Sequence, residues 1–156
     1  MKRIAFISAL LISLTLIGSA QDYKTAAGLR FGLSNGITLK HFLGEKAAVE
    51  GIFAYRWKGF EITGLYELHN QGLGIEGLTW FYGLGAHVGL WNGSDVPWAS
   101  DTNAYTVIGV DGILGFDYKF ADFPINVSLD WKPAFNIVGY TGLWLDGGAL
   151  SIRYTF

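Results

Sequence analysis

Leu150-Ser151-Ile152-Arg153-Tyr154-Thr155-Phe156 closes the chain. Successive side chains of a strand point to opposite sides. An extended reading therefore puts Leu150, Ile152, Tyr154 and Phe156 on one face and Ser151, Arg153 and Thr155 on the other. The first face carries no charge and ends on an aromatic residue, while the second carries an arginine. Such a strand suits a closed barrel in lipid, with its apolar row against hydrocarbon and its polar row in a wet lumen.

The same alternation recurs upstream and predicts eight strands. Their spans are 26–33, 37–43, 47–57, 60–69, 78–91, 104–120, 125–132 and the terminal stretch. Ser34-Asn35-Gly36 marks the first hairpin, because Asn-Gly readily takes positive φ. An even strand count puts both termini on one side, which for this class is the periplasm. The turns at 44–46 and 121–124 then face the periplasm. The loops at 92–103 and 133–146 face outward, and the 70–77 connection is long for a periplasmic turn. The expected fold is all-β, an eight-stranded antiparallel up-and-down transmembrane barrel.

Charge separates the two faces. The expected outward rows hold no Asp, Glu, Lys or Arg, and His41 near the periplasmic rim is their only titratable residue. A lysine or arginine facing lipid at the midplane costs about 2–4 kcal/mol, so lipid explains a clean face and water does not. The inward rows collect Arg30, Lys40, Arg56, Lys119, Lys132 and Arg153, with Glu50, Glu61, Glu67, Asp111, Asp117 and Asp130. An eight-stranded barrel is only wide enough inside for side chains to fill. These twelve charges are therefore expected to pair across the lumen and plug it.

The front of the chain fits export. Lys2 and Arg3 precede an apolar run from Ile4 to Ile17, and Gly18-Ser19-Ala20 offers small residues for cleavage. At about 14 residues the run is short of a membrane-spanning helix. Residues 1–20 thus read as a cleaved signal peptide and 21–156 as one barrel domain. No cysteine occurs, which excludes a lipoprotein anchor, a disulfide framework and a thiolate metal site. Without Lys2 and Arg3 the chain holds 9 basic and 13 acidic residues, a net charge of −4. That argues against a nucleic-acid partner.

On these residues the chain resembles the small eight-stranded outer-membrane barrels, the OmpX, OmpW and OmpA-barrel superfamily. The resemblance rests on the signal peptide, the alternating strands and the closing Tyr154-Thr155-Phe156. Leu150, Ile152, Tyr154 and Phe156 resemble the assembly signal of that group. Ser151 departs from it, standing where a glycine is common. The tract Pro124-Ile125-Asn126-Val127-Ser128-Leu129-Asp130-Trp131-Lys132-Pro133 looks like the seventh strand of uncharacterised members. No peptidoglycan-binding domain is expected after the barrel. The resemblance implies a Gram-negative outer-membrane location, with membrane lipid and lipopolysaccharide as surroundings. It also implies the barrel-assembly machinery and periplasmic chaperones as partners, and a monomer.

Other motifs have plainer readings. Gly72-Leu73-Gly74-Ile75-Glu76-Gly77 matches G-x-G-x-x-G, but a strand follows where a dinucleotide site needs a helix. The sequons at Asn92 and Asn126 are accidental in an envelope protein of this type. His41, His69 and His87 are too dispersed for a metal site, and no cofactor is expected. Some barrels of this group deacylate lipid A with a His-x-Ser pair, which this chain lacks, so no enzyme is expected. The expected role is structural or surface-interacting, with Asp95, Trp98, Asp101, Tyr140 and Trp144 as external loop candidates. Aromatics at the strand ends form two expected girdles, with Trp57, Phe60, Tyr105 and Trp131 on the outer side. The alternatives are OmpW-like passage of a small or hydrophobic solute and a secreted lipocalin-like binder.

Overall fold

The computed structural model describes residues 23–71 and 73–156. The expected signal peptide and its cleavage site lie outside them. Ten strand segments follow one another: β1 Thr25–Gly32, β2 Asn35–Phe42, β3 Ala47–Arg56, β4 Gly59–Asn70, β5 Leu78–Asn92, β6 Ala104–Lys119, β7 Ile125–Trp131, β8 Ala134–Val138, β9 Gly142–Trp144 and β10 Gly148–Thr155. Each pairs antiparallel with its neighbours, in the order β5-β4-β3-β2-β1-β10-β7-β6. Pairing of β5 with β6 closes the ring. The result is an eight-stranded antiparallel barrel, as the alternation predicts. Its seam joins the two ends of the chain: Thr25 and Phe156 exchange N–H···O bonds of 3.0 and 2.8 Å.

Ten segments make eight staves because two staves are interrupted. Pro133 lacks an N–H and breaks the ladder between β7 and β8. Its carbonyl still accepts the Gly112 N–H at 2.9 Å. The register continues across it, with Trp131 opposite Leu114 and Ala134 opposite Asp111. The eighth stave is likewise β9 followed by β10. Its link at 145–147 is fastened by Lys132 N–H to Gly147 O at 3.1 Å and Trp131 Nε1–H to Leu145 O at 2.7 Å.

This corrects the external loop expected at 133–146. The stretch is mostly a hairpin, β8 and β9, with a short turn at 139–141. Phe135, Ile137 and Leu143 face outward on it, while Asn136 is buried. The period-two pattern thus extends past Pro133, and the proline masked it.

The barrel is inverted relative to a water-soluble protein. Outward strand positions expose Leu29, Phe53, Ile62, Leu84, Phe116, Leu129 and Ile152, Leu84 to 75 %. Lys40 and Glu67 are 0 % exposed and Arg153 1 %. Small apolar clusters fill part of the interior, with Ile52, Ala54, Leu65, Phe81 and Ile113 packed together. Inward glycines make room for large neighbours. A Cβ on Gly89 would overlap the Trp91 ring, and one on Gly109 would meet Phe135 O and the His87 ring.

Replacing Gly89 with valine therefore forces Trp91 from its place. We expect destabilisation of about 1–3 kcal/mol, read as a lower denaturant midpoint with loss of near-ultraviolet circular dichroism from the tryptophans.

Candidate functional site: the charged interior and its cover

The inward row of every stave converges on the barrel axis, so charges far apart in sequence meet there. Nearer the termini, Lys40 on β2 reaches Glu67 on β4 at 2.7 Å, Glu50 on β3 at 3.1 Å and Asp117 on β6 at 3.6 Å. Arg153 on β10 reaches Glu50 at 2.6 Å, Ser128 Oγ at 2.8 Å and Asn126 Oδ1 at 3.1 Å. Thr38 donates to the same Glu50 carboxylate, and Asn126 to Asp117. His69 lies 3.0 Å from Glu67, and Tyr23 donates to Asp117 at 3.4 Å. The Lys40 ammonium also sits 4.1 Å above the centre of the Phe81 ring.

A second set lies nearer the other end. Arg30 grips Asp130 with two parallel bonds of 2.7 and 2.6 Å and reaches Ser151 at 3.4 Å. A bidentate fork of this kind fixes geometry as well as charge. Lys132 bridges Asp111 at 2.6 Å and Glu61 at 3.2 Å. His87 lies between Asp111 at 2.8 Å and Asn136 at 2.9 Å. Each half thus holds three carboxylates, two basic side chains and one histidine.

Ten of the twelve charges named from the sequence meet in these two sets. Arg56 sits higher, at the rim, where it pairs with Asp146 at 2.5 Å and stacks 3.8 Å over Trp57. Lys119 stays outside the network. Its ammonium donates to the Phe120 and Phe123 carbonyls at 2.5 and 2.8 Å and fastens the 120–124 turn. Sequence reasoning missed Thr38, Asn126, Ser128 and Ser151 as partners, although their inward parity was visible, and Asn136, which lay in the supposed 133–146 loop. It also missed Asp146, which lay in a supposed loop.

An aromatic cover lies over the end away from the termini. Trp91 and Val107 are buried, and Trp57, Trp98, Tyr105, Tyr140 and Trp144 pack around them. Trp98 stacks on Tyr140 at 4.6 Å, and Trp144 meets the edges of Trp57 and Trp91 at 5.4 and 5.6 Å. Trp57 and Tyr105 therefore turn inward, which removes them from the expected outer girdle. Trp57 leaves the strand at φ 50°, and Tyr105 shares the inward parity of Val107.

The external candidates take part in this closure. Tyr140 and Trp144 sit on the β8–β9 hairpin inside the cover, and Trp98 bridges to it. Asp95 pairs with Lys58 at 2.8 Å. Asp101 accepts from Asn103 N–H at 3.1 Å and from Tyr105 Oη–H at 3.0 Å.

Below the cover lie two adjoining cavities of about 20 Å³ each, lined by Ser34, Glu61, Lys132 and Gly147 among others. Each has room for about one water molecule. Among the described residues no group of His, Cys, Asp or Glu is placed to hold a metal ion. No protein-family model matches the chain, and no curated protein or solved structure is significantly similar to it.

Two outcomes are expected. Arg153→Met leaves Glu50 with one fewer cation in a dry site, a loss of about 3–5 kcal/mol, seen as a lower unfolding midpoint. The double variant with Glu50→Gln should recover part of that loss, because the orphaned charge goes with it. At the surface, the Asn103 N–H and the Tyr105 hydroxyl hold the Asp101 carboxyl below its usual value. That fastening is complete above the usual aspartate range and is lost as pH falls through the lowered folded value. Protection of the Asn103 amide, taken as exchange relative to the intrinsic rate at the same pH, should therefore fall only on acidification.

Proposed function

We propose that this chain is an integral outer-membrane barrel whose side-chain-filled interior suits a structural or surface-interaction role. The inversion of its two faces carries the reading. No Asp, Glu, Lys or Arg occupies an outward strand position among the described residues, while Lys40, Glu67, Asp117 and Arg153 are buried. In water this arrangement exposes a continuous apolar belt far larger than the few hundred Å² ordinary for a monomer. In lipid the same belt is the favourable face. The closed ring also leaves no strand edge inside hydrocarbon, which lipid requires because it offers no hydrogen-bond partner.

The interior disfavours both alternatives. A lipocalin-like binder needs an apolar chamber of ligand size, about 300–1,000 Å³, whereas the axis here is occupied by the buried side chains of Lys40, Glu50, Glu67, Phe81 and Arg153. Passage of a solute through the axis requires the Lys40–Glu67, Arg153–Glu50 and Arg30–Asp130 pairs to part. Association with lipopolysaccharide, chaperones and the assembly machinery belongs to the same reading.

Membrane fractionation with heat-modifiable gel mobility tests it directly. We expect recovery with outer-membrane markers and a folded band that shifts on boiling. Recovery in the soluble periplasm or medium would overturn the membrane assignment. Planar-bilayer recording should show no steady single-channel steps, and regular steps would replace the filled interior with a conducting one. Leu129→Arg, an outward change near mid-barrel, should cost about 2–4 kcal/mol in vesicles, whereas Glu45→Arg in a turn should cost little.

A further inference from the structure

The staves begin level and end unevenly. Near the termini, Thr25 lies opposite His41, Ala47 opposite Leu68, Leu78 opposite Tyr118 and Ile125 opposite Tyr154. At the other end β1 and β2 stop after 8 residues each, whereas β5 and β6 run for 15 and 16. The seventh stave continues through β8 to Val138.

A strand rises about 3.3 Å per residue. Tilted by about 35–45°, it gains roughly 2.5 Å along the barrel axis per residue. Leu33, just past β1, therefore stands about 20 Å above Thr25, and Ile137 on β8 stands roughly 30 Å above Ile125. Both are exposed apolar side chains, at 59 % and 53 %. Leu29, Phe31, Ile37 and Leu39 complete the short flank, and Leu129, Trp131 and Phe135 the tall one. The apolar belt is a wedge.

A barrel of this class carries an apolar band about 25 Å tall. Standing upright in lipid of that thickness, the short flank would sink the polar 33–36 turn below the headgroups, where nothing solvates its backbone. Tilt or local thinning can relieve such a mismatch. Tilt would lift the level base from its own interface. Tyr154, Phe156 and Phe120 stand exposed around that base, and aromatic side chains favour the headgroup level.

We propose that the β1–β2 flank holds a locally thinned patch of lipid, its outer surface drawn down to the 33–36 turn. The proposal rests on the membrane reading above and adds an orientation and a lipid partner to it. The flank is also the uncovered side of the mouth, since the aromatic cover rises from the end of β3, from β5 and β6 with the loop between them, and from the β8–β9 hairpin.

The chain has no cysteine, so single cysteines report single sites. Leu33→Cys, Ile137→Cys and Tyr154→Cys would each be spin-labelled, checked for heat-modifiable mobility and placed in phosphatidylcholine vesicles. Depth would be read from collisions with oxygen and with a nickel chelate. The Leu33 and Ile137 labels should lie at the same depth to within about 3 Å, one residue's rise. The Tyr154 label should stay at the opposite headgroup level in short-chain and long-chain lipid alike. A Leu33 label roughly 10 Å deeper than the Ile137 label would overturn the thinning. A Tyr154 label lifted from its interface would replace thinning with tilt. Absence of lipid contact at all three sites would instead remove the membrane reading itself.

Discussion

Glu50 shows the constraint on which the rest of the structure depends. It sits on β3, wholly enclosed, and is held by Arg153 from β10, Lys40 and Thr38 from β2. A carboxylate in a space too narrow for bulk water must find its counter-charges among its neighbours. Those neighbours come from staves on both sides of the seam. The pairing therefore stabilises the closed ring specifically, since opening the seam between β1 and β10 separates Arg153 from Glu50. Arg30 and Asp130 make the same kind of link from β1 to β7 across β10.

Narrowness has a second consequence. Several large inward side chains fit where an adjacent stave supplies a glycine, as Gly59 does for Trp91 and Gly109 for His87. The abundance of glycine, which weakens an ordinary strand, becomes a packing requirement here. The interior alternates bulk with absence of bulk, and the charges occupy what remains.

The terminal stretch already held the architecture in miniature. Its parity assigned Arg153 inward and Tyr154 outward, and the same parity held through the other staves because a one-residue slip would move every charge to the outer face. What parity could not supply was height. Pro133 reads as a strand terminator, yet its carbonyl keeps the ladder and the strand resumes at Ala134. Partners were also hidden. Opposite charges on an inward row say that pairing is required, but which carboxylate meets Lys132 depends on stagger between staves, and stagger is not local to any stretch. The aromatic cover is split across separate segments of chain, so Trp57 reads as a girdle residue at a strand end and Trp98, Tyr140 and Trp144 read as separate loop residues. Turning them inward follows from the β8–β9 hairpin, which brings Tyr140 and Trp144 over the mouth and gives Trp98 something to stack on.

These features divide the work between the two faces. The belt determines where the barrel is comfortable and is non-directional, since any apolar side chain serves at Leu129 or Ile152. The interior is directional, since exchanging Glu50 with Lys40 would leave the charge total unchanged and still change every contact. Tolerance to substitution should differ accordingly, being broad among apolar residues outside and narrow inside. The proposed surface role fits this division, because loops and the upper hairpin can vary over an interior that keeps the staves in register. The short β1–β2 turn is the exception, since it adjoins the cavities beside Ser34 and Lys132 and lies where the belt is lowest. On the proposed membrane reading, lipid, solvent and the charged interior come closest together at that turn.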